Sequence, residues 1–170
     1  MSETATGCRH QESRTSLSDP ATIMIVAMIT AMTFSASGAA PTPLYRLYQE
    51  HFGLTPTMVT VIFAAYVLSL LVALLTTGAL SDHIGRRPTT LGALMLNIMA
   101  MAMFITAGSG AALTAARAVQ GFATGVATAA LGATILDVDR RRGAILNSVT
   151  VFAGLTVGTL GAATLVTFAP

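Results

Sequence analysis

Five long apolar intervals, separated by short polar patches, organise this chain. They run over 21–40, 57–80, 89–107, 111–136 and 144–169. Crossing a hydrocarbon core about 30 Å thick takes roughly 20 helical residues, and each interval has that reach. None alternates apolar with polar positions as a barrel strand does, and in lipid each backbone polar group needs a partner within the protein. The pattern predicts an all-α integral membrane protein of five transmembrane helices, with no soluble domain. Ahead of them, residues 1–20 form a polar leader of mixed charge and no period, read as disordered. A secretory signal is the competing reading of the first interval, because Phe34 to Ala40 is rich in small residues. The long leader, Pro41 directly after the would-be cut, and the full spanning length favour a helix.

Composition agrees, with 54% hydrophobic and 9% charged residues. Lys is absent, so arginine sets orientation. Arg9 and Arg14 precede the first span, Arg86 and Arg87 separate the second from the third, and Arg140 to Arg142 separate the fourth from the fifth. The opposite loops carry only Arg46. The positive-inside rule then puts the N-terminus in the cytoplasm and Pro170 outside, in a multi-pass protein of the cell (inner or plasma) membrane. A formal net charge of +2 calls for anionic lipid heads and no nucleic acid. The one cysteine, Cys8, lies in the leader and closes no disulfide.

The loop Gly78-Ala-Leu-Ser-Asp82-His-Ile-Gly85-Arg86-Arg87-Pro88 is the most specific segment. Gly78 lies one turn before Asp82 on the same face, leaving room for a neighbouring helix beside the carboxylate. Gly85 permits a sharp reversal, Pro88 suits the first turn of the third helix, and the paired arginines are expected at the carbonyl end of the second. A basic turn that merely sets topology is the plainer reading. In the fourth span Arg117, Gln120, Gly121, Thr124, Gly125 and Thr128 recur every three to four residues, a small and polar stripe on an apolar helix. An intramembrane arginine costs at least about 2.5 to 3.5 kcal/mol on insertion scales. Arg117 stands only about 9 Å below the outer helix end, so snorkelling competes with a functional role.

These residues resemble the major facilitator superfamily. The loop matches its signature Gly-x-Leu-x-Asp-x-x-Gly-Arg-Arg between helices two and three, and Arg117-Ala-Val-Gln120-Gly121 is similar to its Arg-x-x-Gln-Gly element in helix four. The resemblance implies secondary active transport of a small solute by alternating access, without cofactor or metal, in a chain holding the first five of twelve helices: an incomplete N-terminal six-helix half, and so a truncated product or fragment. It implies a conformational latch formed by Gly78, Asp82, Gly85, Arg86 and Arg87, with Arg86 paired to Asp137 or Asp139. Arg117, Gln120, Gly121 and Thr124, with Thr30, Thr33 and Ser37 along one face of the first span, are its candidates for cavity or coupling.

No Asp or Glu lies inside any span, which departs from many proton-coupled relatives. A backbone carbonyl, an anionic substrate or an acid in a missing segment is left to partner Arg117. Gly154, Gly158 and Gly161 read as a packing face of the fifth span, together with Gly125 in the fourth. They only partly echo the family's antiporter signature, since Thr159 stands where it has proline. Met95, Met99, Met101 and Met103 of the third span read as lipid-facing or gap-filling. The alternative function is an accessory or inhibitory membrane subunit that pairs with a full-length relative through the glycine faces of the fourth and fifth helices. An enzyme is disfavoured, because His10, His51 and His83 assemble no catalytic or metal constellation.

Overall fold

The protein is described here by a computed structural model covering residues 19–77 and 84–168. The leader with Cys8, and the Gly78 to His83 part of the loop including Asp82, lie outside the described residues. The architecture is all-helical, and five helices are long and apolar enough to cross a membrane.

Helix α1 spans Pro20–Ala39, with Asp19 as N-cap accepting from the Ala21 amide at 3.3 Å and Pro20 in its first turn. It does not hand over to a loop, as the apolar pattern predicts. The chain continues as α2, Pro41–Phe52, and ends at Gly53, whose φ of 60° makes the left-handed stop. The hydropathy pattern missed α2 because its sequence PTPLYRLYQEHF is amphipathic, with Tyr45 buried. Helix α3 (Pro56–Thr77) follows a Thr55 cap, whose hydroxyl accepts from the Met58 amide. Next come α4 (Arg86–Thr106), α5 (Gly110–Val138) and α6 (Gly143–Phe168). Ser109 caps α5 by accepting from the Ala112 amide at 3.2 Å.

Helix α5 is the hub, packed against α1, α3, α4 and α6, while α1 also packs on α6. Its core is built from small residues, Ala116, Ala123, Ala127 and Ala130, so backbones rather than long side chains meet there. Glycine completes two close approaches to α3. A Cβ on Gly121 would strike the Tyr66 carbonyl of α3, and one on Gly125 would stand 2.6 Å from Ala73 Cβ. On the other side Gly154 faces Met32 and Ser35 of α1, and Gly158 abuts the Ala36 carbonyl. Gly161 departs from the expected face, being exposed with nothing within 4 Å of its Cβ position. The face repeats every four residues through Gly154, Gly158 and Ala162, and a three-residue step rotates Gly161 off it. Of the glycines invoked for pairing with a full-length relative, Gly125, Gly154 and Gly158 are thus already consumed inside the bundle.

Outward positions carry large apolar side chains. Leu75, Ile105 and Phe168 are more than four-fifths exposed, and Met95 and Met99 are exposed too, a surface suited to lipid tails.

Candidate functional site: a buried arginine and an end-of-bundle ion pair

The polar stripe of α5 meets the break between α1 and α2. In a continuous helix the Ser37 carbonyl would accept from residue 41, but Pro41 has no N–H. Gln120 supplies the missing donor, its Nε2 reaching Ser37 O at 2.8 Å. The amide oxygen of Gln120 accepts from Arg117 Nη1 at 2.8 Å, and the same Nη1 donates to the Gly38 carbonyl at 3.0 Å. Arg117 Nε donates to the Tyr45 hydroxyl at 2.6 Å. Two residues of α5 thus stitch down the end of α1 and the start of α2.

The guanidinium does not snorkel, since Arg117 is 2% exposed. Four rings surround it: its Cζ lies 5.4 Å from the Tyr45 centroid, 5.7 Å from Phe63, 5.2 Å from Tyr66 and 5.7 Å from Phe104. Each aromatic face offers negative quadrupole density, and a desolvated cation–π contact is worth about 2 kcal/mol or more. Neutral carbonyls and π faces, with no carboxylate, therefore hold the charge among the described residues. Nη2 is buried and has no hydrogen-bond partner among them.

The network extends into α4, where Asn97 Nδ2 donates to Ser37 Oγ at 3.3 Å. Thr124 is buried and returns its hydroxyl to the Gln120 carbonyl, continuing the stripe along the helix's own backbone. Ser37 joins the network; Thr30 and Thr33 do not. Their hydroxyls bond back to Val26 and Ile29 carbonyls, one turn earlier in α1, and Thr33 is exposed. Sequence reading missed Tyr45, Phe63, Tyr66, Phe104 and Asn97. Asn97 carried a legible signal as an amide within an apolar span, whereas nothing local marks which aromatics turn toward one arginine.

A second cluster lies at the end of the bundle where α4 begins and α5 ends. Gly85 turns the chain at φ 94° and ψ 152°, a region almost exclusive to glycine, and its carbonyl accepts from the Thr89 hydroxyl. Arg86 and Arg87 fall in the first turn of α4 rather than at the carbonyl end of the preceding helix, with Pro88 third in that turn. Of the two acids expected for Arg86, Asp137 lies against it, Nη2 to Oδ2 at 2.5 Å. Asp139 is otherwise engaged: its carboxylate accepts from the Arg141 and Arg142 amides, both at 2.9 Å, and orders the turn into α6. Each member of the Arg86–Asp137 pair stands at the unfavourable end of its own helix dipole, a cation at the N-terminus and an acid at the C-terminus. The pair cancels both.

The profile of the Major Facilitator Superfamily matches residues 23–169. The chain belongs to that superfamily. No curated protein and no solved structure gives a significant match. Membership makes the chain a multi-pass membrane protein of the transporter type, in a superfamily whose transporters act on small solutes within membrane lipid. Superfamily residues 23–169 take in both polar clusters, the buried Arg117 network and the Arg86–Asp137 pair.

Proposed function

We propose that the five spans form one body of a secondary active transporter for a small solute, working by alternating access against further helices. In this reading the loop from Gly78 through Asp82, Gly85, Arg86 and Arg87 is the conformational latch, and Asp137 is the acid that Arg86 releases and recaptures. The end carrying these residues and the N-terminus of α1 faces the cytoplasm. The observation that carries the proposal is the Arg86–Asp137 pair. Helix stability argues against both charges where they stand, at about 0.3 to 1 kcal/mol each, so their placement answers to something other than local folding. Asp139 serves the α5–α6 turn, and Arg117, Gln120, Gly121, Thr124 and Ser37 form the rigid opposite end around which the body rocks.

Charge reversal tests it, in vesicles where the chain is assembled with a C-terminal half of the superfamily and solute counterflow is measured. Arg86→Asp is expected to abolish counterflow without lowering membrane insertion, and adding Asp137→Arg to restore part of it. Counterflow that survives Arg86→Asp, or that Asp137→Arg leaves unrescued, overturns the latch and leaves the arginines a topological role.

A further inference from the structure

A groove of about 650 Å³ opens between α1, α4 and α5 at the end of the bundle that holds the ion pair. Val26, Leu91, Leu94 and Leu131 form its apolar walls, and Arg86, Arg87 and Asp137 stand at its rim. Its length decides what fits. Along α1 it runs from Thr22 to Thr30 and along α4 from Arg86 to Leu94, in each case about 12 Å at 1.5 Å per residue. That is close to one leaflet of a hydrocarbon core about 30 Å thick and far short of its full depth. A transmembrane helix seated there would find a wall along less than half its length.

Charge points the same way. The pairing of Arg86 with Asp137 leaves Arg87 as the net charge at the rim, exposed and without an ion pair among the described residues. A positive head position above a leaflet-deep apolar cleft is the complement of an anionic phospholipid, whose phosphate adds charge-assisted hydrogen bonds from a guanidinium. We infer that this groove binds one anionic phospholipid, its phosphate at Arg87 and its acyl chains between Val26, Leu91, Leu94 and Leu131. The inference does not rest on the Arg86–Asp137 pair working as a latch, because it concerns binding at Arg87 and leaves that pair intact.

Photolabelling the purified full chain tests it without any substitution. Phosphatidylglycerol and phosphatidylcholine probes, each with a diazirine in the acyl chain, would be added in detergent and cross-links located by mass spectrometry. The phosphatidylglycerol probe is expected to label Val26, Leu91 and Leu94 several-fold more heavily than the exposed Leu75 and Leu165, and the phosphatidylcholine probe to show no such enrichment. A second arm uses Arg87→Gln, which is expected to bring phosphatidylglycerol labelling of the groove down to the phosphatidylcholine level while circular dichroism stays unchanged. Even labelling over all outward faces, or equal labelling by both probes, overturns the proposal. So does a dimer by light scattering whose groove stays unlabelled, which would assign the surface to a second copy of the chain.

Discussion

Gln120 donates its side-chain amide at 2.8 Å to the Ser37 carbonyl, a group that Pro41 leaves without its helical donor. A proline placed near the end of a spanning helix exposes a backbone acceptor in a medium that offers no water, and a neighbouring helix fills it. The break and the glutamine are thus one device. Gln120→Leu should lower stability by about 1 to 3 kcal/mol, the cost of a buried unsatisfied acceptor. Pro41→Ala restores an N–H to Ser37 and should shrink that loss, giving a coupling of about 0.5 kcal/mol or more in a double-mutant cycle read from unfolding in mixed micelles. Strict additivity would show that Pro41 and Gln120 act separately.

Arg117 and Tyr45 form the most demanding contact in the bundle, because the cation is buried without an acid among the described residues. Tyr45→Phe keeps the ring and removes only the acceptor of the 2.6 Å bond, and should cost about 1.5 to 3 kcal/mol. Arg117→Lys should be at least as damaging, since an ammonium reproduces neither the fork to Gly38 and Gln120 nor the stacking on four rings. Near-wild-type unfolding midpoints for both variants in the same micelle assay would mean that the cage is not what retains the charge.

Two glycines three residues apart should respond oppositely. Gly158→Leu drives a side chain into the Ala36 carbonyl of α1 and should separate the helices, lowering the yield of monodisperse protein and its thermal midpoint. Gly161→Leu meets open space and should leave the midpoint unchanged or raised, since Leu is also the better helix former. Comparable losses in both would relocate the α1–α6 contact.

Orientation is open to impermeant thiol labelling in a Cys8→Ser background. Arg141→Cys, in the exposed turn before α6, should react only after the cytoplasmic face is made accessible, and Gly108→Cys, in the exposed turn before α5, should react from outside. The reverse pattern would invert the bundle.

Much of this could be read along the chain. The five spans fall within a few residues of the apolar intervals, because in lipid a helix of sufficient length is the only solution open to such a run. The family motifs were equally legible, since Gly85 and Arg86 owe their value to a local turn, and Arg117, Gln120 and Thr124 to a stripe on one helix. Asp137 and Asp139 could not be told apart, because their difference is rotational. Two residues at a helix end point in directions that only the neighbouring helix makes unequal, and one carboxylate met Arg86 while the other folded back on its own turn.

Composition and period, then, determined a membrane-spanning all-helical chain with a conspicuous arginine in its fourth span. Tertiary structure alone decided what that arginine touches. Its partners come from α1, α2, α3 and α4, as far as 79 residues away in the case of Gly38, and consist of π faces and a proline-orphaned stretch of backbone. Neither announces itself by residue type. An aromatic becomes a cation's partner only by the direction it faces, and a carbonyl becomes an acceptor only when a helix breaks beside a helix that carries a donor.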